Sequence, residues 1–139
     1  MAFKSKRFYR KEAIANGYRS KFELEIAKWL EAEKVSYKYE PCKIDYVVPE
    51  SKHKYTPDWQ INGDNTIYWE SKGNLTARDR TKLLHIKASN PNLVIRILLM
   101  NSKVKISRIS KTTYGDWCGK YGFEWCDWKD KRKLKEWCK

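Results

Sequence analysis

The stretch "YTPDWQINGDNTIYWESKG", Tyr55 to Gly73, decides how the chain is read. Pro57 biases Thr56 towards an extended backbone, so Asp58 enters a strand on a preset path. "NGDN", Asn62 to Asn65, is turn chemistry, and "IYWESK" after it has the make-up of a strand. Successive strand side chains take opposite faces, so Tyr68, Glu70 and Lys72 share one face and Ile67 and Trp69 the other. Strand rise puts the Glu70 and Lys72 Cα atoms roughly 7 Å apart. Directly opposed residues of an antiparallel pair also share a face. Asp58 and Glu70 can therefore oppose each other only if the loop between them has odd length. Asn62 then pairs with Thr66 around Gly63-Asp64-Asn65, with glycine or asparagine in the left-handed position. A two-residue Gly63-Asp64 turn without a bulge would send the two acids to opposite faces.

Two carboxylates converging on one point repel unless something positive lies between them. Hard oxygen ligands in that number suit Mg²⁺, which keeps several waters and accepts phosphate oxygens. Such an ion polarises a scissile phosphate and lowers the pKa of a bound water. Lys72, beside the acids, can steady an attacking water and offset charge on the phosphate. It becomes a general base only if burial and a nearby cation depress its pKa. A third acid, Glu23, lies in the first turn of a helix, at the edge of its apolar stripe. It stands about 20° around the axis from Leu30, along the core boundary. Glu25 lies on the opposite margin and is the weaker candidate. Each residue also has a plainer account. Ser20-x-x-Glu23 is a capping box, a role that can coexist with ligation. Glu70 and Lys72 also fit a solvated pair, and Asp58 fits turn chemistry. Taken in order, helix Glu, Pro-Asp, hairpin and Glu-x-Lys point to a metal-dependent nuclease site.

The rest of the chain suits that reading. It has 139 residues, 30 Lys and Arg against 17 Asp and Glu, and a formal charge of +13. A surplus that large is tolerated best where a polyanion neutralises it, and nucleic acid is the expected partner. No long basic amphipathic helix or membrane-length apolar run favours a membrane, and no secretory signal is seen, so a cytoplasmic location is expected. Cys42, Cys118, Cys126 and Cys138 form no CxxC pair and are expected as reduced, packed thiols. Arg7, Arg10, Lys11 and Arg19 precede the Glu23 helix and are candidates for gripping backbone phosphates. Trp29, Trp59 and Trp69 sit in periodic apolar settings and read as packing residues. Trp128 and Trp137, among lysines, are left open between packing and base stacking.

Along the chain, "SKFELEIAKWLEAEK" reads as a helix capped by Ser20, with Phe22, Ile26, Trp29 and Leu30 in its apolar stripe and Lys34 at its end. "VSYKYEP" and "IDYVVP" read as strands, and the hairpin from Tyr55 to Lys72 follows. A helix from about Thr76 to Ser89 turns Leu83, Leu84 and Ile86 inward. "NLVIRILLM" reads as a strand covered on both faces. A helix between two strands implies a crossover and parallel pairing. "KTTYGDWCGKYG" suggests a short capped helix. The fold class is α/β (α+β mixed), in the order α-β-β-β-α-β, a mixed sheet flanked by helices. One domain spans 1–139, with a basic N-terminal arm at about 1–17 and a basic C-terminal extension at about 126–139.

Pro57-Asp58 and Glu70-Ser71-Lys72 match the PD-(D/E)xK signature. With "YRSKFELEIAKWLEAEKVSYKYE", "YVVPESKHKYTPDW", "IYWESKG" and "TTYGDWCGKYGFEW", the chain resembles the phage endonuclease I family from roughly Gly17 to Trp125. The resemblance implies a restriction-endonuclease-like core that resolves four-way (Holliday) DNA junctions by paired phosphodiester hydrolysis, leaving 5′-phosphate and 3′-hydroxyl ends. It implies Glu23, Asp58, Glu70 and Lys72 as the catalytic set. It also implies one or two Mg²⁺ ions, with Mn²⁺ as a substitute, held by Asp58, Glu70, the backbone carbonyl of Ser71 and Glu23. An intertwined homodimer with composite sites, acting in the cytoplasm of a bacterial host, follows from the same likeness. A transposon-end or other PD-(D/E)xK nuclease, or a non-catalytic basic DNA-binding module, is the alternative.

Overall fold

A computed structural model describes Ala13, residues 15–48 and residues 50–139. They fall into two units, one ending at Ser36 and one running Tyr37–Lys139. The first is built on helix α1, Lys21–Ala32. Ser20, in extended backbone, caps it by accepting the Glu23 N–H at 3.1 Å, which satisfies one of the orphan donors of the first turn. At the other end Lys34 takes a φ of 57°, and its N–H and that of Val35 donate to the carbonyls of Glu31 and Leu30. This is a Schellman closure with lysine in the position glycine usually fills. Phe22, Leu24, Ile26, Ala27 and Leu30 are buried, a broader face than the expected stripe, and Trp29 is half-buried.

The second unit contains β1 Tyr37–Tyr39, β2 Ile44–Val48, β3 Ser51–Tyr55, β4 Trp59–Ile61, β5 Ile67–Lys72, α2 Ala77–Ser89, β6 Val94–Leu99, α3 Tyr114–Lys120, β7 Glu124–Asp127 and α4 Lys131–Trp137. Five strands form a mixed sheet in the order β1-β4-β5-β6-β7, and β2 and β3 pair separately. β4 runs antiparallel to both β1 and β5, whereas β6 lies parallel to β5 and β7. The mixed α/β class is as expected, and so is the parallel β5-α2-β6 unit. The strand count is higher. β3 is nearly all exposed, so "SKHK" offered no apolar alternation to read. Tyr55 ends β3 instead of starting the β4–β5 hairpin.

β6 lies between β5 and β7 and is covered on both faces. Ile95, Ile97 and Leu99 join Leu83 and Ile86 of α2 and Tyr114 and Trp117 of α3 in one apolar cluster. Leu98 and Arg96 point the other way. Leu98 is fully buried, and Arg96 bonds Glu124 at 3.1 Å with its guanidinium over the Trp137 ring. The tail expected as a basic extension is folded. Its lysines mask Leu134 and Trp137, three residues apart and both buried on one face of α4. The Trp137 ring centroid lies 5.6 Å from that of Trp69, so Trp137 is a packing residue. None of the four cysteines is in a disulfide, and burial pushes the Cys118 thiol up to about 12. Among the described residues no helix is long and apolar enough to cross a membrane.

Candidate active site

The odd-length turn forms as the parity argument requires. Trp59 pairs with Trp69 and Gln60 with Tyr68, and the same register carries Asp58 opposite Glu70. Asn62 and Gly63 both take positive φ, 52° and 72°, and the Asp64 carboxylate accepts the Thr66 N–H and hydroxyl at 2.8 Å each. Glycine and asparagine tolerate that backbone region, so the turn closes at little steric cost. On the β1 side, the Glu40 N–H donates to the Asp58 carbonyl at 2.8 Å. Asp58 is thus pinned between two strands just ahead of β4.

The side chains then converge. Asp58 Oδ2 accepts the backbone N–H and the hydroxyl of Ser71, both at 2.9 Å. Lys72 Nζ lies 3.4 Å from Glu70 Oε1 and 3.3 Å from Asp79 Oδ1. Glu70 Oε2 accepts the Tyr55 hydroxyl at 2.6 Å. Glu70 is not the solvated half of a surface pair; it is buried in the sheet. Burial raises its pKa, and Lys72 and the Tyr55 hydrogen bond pull against that rise. The same burial pushes the Tyr55 phenol well above its usual range, with the Glu70 charge adding to it. For Lys72, burial acts to lower the pKa, but Glu70, Asp79 and Asp58 outweigh it and hold the group above its ordinary value. The neighbouring carboxylates thus favour the ammonium form of Lys72.

Glu23 belongs to the N-terminal unit, where it is buried. Its Oε2 accepts the Arg19 N–H at 2.9 Å, while Ser20 accepts its own N–H. The expected capping box is shifted by one residue on its return arm. Glu25, the weaker candidate, is half-exposed and pairs with Lys21. Arg19 is exposed and sits directly ahead of the Ser20 cap. Arg7, Arg10 and Lys11 lie outside the described residues.

Among the described residues no group of three or more His, Cys, Asp and Glu is placed to hold a metal ion. The C-terminal unit offers two carboxylates, Asp58 and Glu70, and the backbone oxygen of Ser71, the residue after Glu70. That small, hard, all-oxygen set fits Mg²⁺, which fills its remaining positions with water and phosphate oxygens. The raised pKa of Glu70 fits as well, because a buried anion without full compensation is favoured by a cation beside it.

The sequence profile described as phage endonuclease I matches residues 1–139. The chain is 39% identical over 110 residues to "Endonuclease I" of Escherichia phage T7, covering 79% of this chain and 72% of that protein. It is 40% identical over 110 residues to "Endodeoxyribonuclease 1" of Enterobacteria phage T3, covering 79% and 71%. This chain belongs to the phage endonuclease I family.

In this member of the phage endonuclease I family, sequence reasoning missed two neighbours of the candidate site. Asp79 is the N3 residue of α2, and its Oδ2 accepts the Thr76 N–H and hydroxyl in a capping box. Its other oxygen faces Lys72. The Thr76-x-x-Asp79 spacing was a signal for the cap, but nothing local tied it to Lys72. Tyr55 sits 15 residues from Glu70 in sequence, in another strand pair, so its hydrogen bond had no sequence signal.

Proposed function

We propose that this chain is a Mg²⁺-dependent endodeoxyribonuclease that resolves four-way DNA junctions by paired cuts. The observation that carries the proposal is the buried Glu70 carboxylate, opposite Asp58 in register and 3.4 Å from the Lys72 ammonium, in a phage endonuclease I chain of charge +13. Hydrolysis forms a bond from a water oxygen to phosphorus and breaks the P–O3′ bond. The products are a 5′-phosphate and a 3′-hydroxyl whose oxygen takes up a proton. Asp58, Glu70 and the Ser71 carbonyl would hold the first Mg²⁺, and Glu23 a second. Bound there, Mg²⁺ supplies Lewis acidity to the phosphate and lowers the pKa of the attacking water.

The chain's own residues do the rest. Asp58 is oriented by Ser71, and Glu70 by Tyr55, so both acids are set before substrate arrives. The Lys72 ammonium, clamped between Glu70 and Asp79, faces the charge that builds on the phosphate. DNA is the substrate class, and Arg7, Arg10, Lys11 and Arg19 are proposed as backbone contacts beside the surplus charge. A homodimer with composite sites, as the likeness to the phage endonuclease I family implies, is part of the same reading. A C2 dimer also has the twofold symmetry that two opposed cuts in one junction require. The site of action that follows is the cytoplasm of a bacterial host.

A synthetic four-way junction incubated with the protein and Mg²⁺, and separately with Ca²⁺, tests this. Paired, symmetry-related nicks with Mg²⁺ are expected. Retardation without cutting would support a basic binding module, and cutting confined to one terminal sequence would support a transposon-end nuclease.

A further inference from the structure

Between β6 and α3 runs "MNSKVKISRISKTT", residues 100–113. It holds Lys103, Lys105, Arg108 and Lys111 and no acid. The loop is firmly rooted. The Met100 N–H donates to the Lys72 carbonyl at 3.0 Å, so the segment leaves the sheet directly beside the candidate site. The Ser102 N–H and hydroxyl both donate to Asp127 Oδ2 at 2.8 Å. Its arms are closed as well. Lys105 bridges Thr113, and the Ile106 N–H donates to the Thr112 carbonyl at 2.9 Å. At the tip, the Ser110 N–H donates to Ser107 Oγ, and the Thr112 N–H to Ser110 Oγ.

Two isoleucines in this loop go opposite ways. Ile106 packs against the core, whereas Ile109 is 97% exposed; the other exposed large apolar residues among those described do not exceed 54%. A single exposed apolar side chain is ordinary on a protein surface. Here it stands at the tip of an ordered, wholly basic finger rooted next to Lys72. The charge selects a polyanion, and the apolar tip needs something to enter that phosphates cannot offer.

Resting on the reading of the chain as a junction nuclease, we propose that loop 100–113 is a DNA-reading finger whose Ile109 wedges into the base stack at the branch point. Its basic residues hold the flanking phosphates. Isoleucine is among the side chains that enter base steps as wedges, and the cost of entry is unstacking. At a branch point stacking is already interrupted, so entry costs less there than in continuous duplex. The finger would thereby favour junctions over linear DNA through the same side chain that buries its exposed surface.

The test uses the full chain with Ca²⁺ in place of Mg²⁺ and junctions carrying 2-aminopurine at the branch. The native protein is expected to raise the fluorescence by unstacking the probe. Ile109→Ala and Ile109→Ser are expected to lose at least two-thirds of that rise. They are also expected to lose about tenfold in junction-over-duplex preference, with unchanged thermal unfolding. Lys105→Ala and Arg108→Ala are expected to weaken binding to junction and duplex alike and to flatten the salt dependence by about one per contact removed. No rise with native protein, or an undiminished rise in the Ile109 variants, overturns the wedge while leaving junction cutting in Mg²⁺ intact. Absence of Mg²⁺-dependent cutting by the native chain overturns the functional reading beneath it, and the wedge with it.

Discussion

Two hairpins of this molecule each carry an acid beside a lysine, and the fold treats them differently. In β2–β3, Asp45 lies opposite Lys54 at 3.8 Å, with side chains 85% and 69% exposed. In β5, Glu70 stands 3.4 Å from Lys72, with side chains 9% and 23% exposed. Water screens the first pair, and its attraction barely exceeds the entropy of holding two long side chains still. The second pair has lost most of its water. Its charges now depend on Tyr55, Asp79 and each other, and the same loss of water makes them able to act on a phosphate. Chemical identity is shared between the pairs; the environment separates structure from chemistry.

The largest expected effect breaks the buried pair. Glu70→Gln should lower junction cutting on the order of 1000-fold, ~4 kcal/mol of transition-state stabilisation, while gel retardation of the junction survives. Cutting retained within tenfold would remove Glu70 from the proposed chemistry. The same variant should unfold at a higher temperature than the native chain at pH 7 in chelator. Burial raises the Glu70 pKa above 4.5, so the native chain loses stability as pH rises from 4.5 through the folded-state pKa, and glutamine escapes that loss. Below pH 4.5 the advantage should vanish. A constant difference across the range would contradict the burial argument.

Tyr55→Phe removes one donor from a buried carboxylate and should cost about 1.5–3 kcal/mol in urea unfolding at pH 7. Asp79→Asn keeps the shape of the α2 cap but removes the anion facing Lys72. A fall in kcat of about tenfold, or ~1.4 kcal/mol, is expected, with KM little changed. Equal losses in stability and activity would mark Asp79 as a cap alone. The smallest effect belongs to the exposed pair. Asp45→Asn should change stability by under about 1 kcal/mol and leave cutting within twofold. A larger change would erase the contrast between the hairpins.

Much of this arrangement was legible in the chain. The odd turn put Asp58 opposite Glu70 because strand parity and left-handed turn residues are local rules, and the register obeys them. Ser20 announced its helix through capping chemistry. β3 was not legible, since an exposed strand has no buried face to impose a period. The tail was misleading for a related reason. Lysines crowd Leu134 and Trp137, and only the ring of Trp69 shows where that face goes.

By itself, then, the amino-acid order determined which residues share a face, where helices begin, and that the surface would be strongly basic. These depend on stereochemistry and charge within a few residues. Only the tertiary structure decided that Glu70 would be dry, that Lys72 would be held between two anions, and that Tyr55 and Asp79 would be their neighbours. Desolvation is set by whatever covers a group, and here the covering residues arrive from distant parts of the chain.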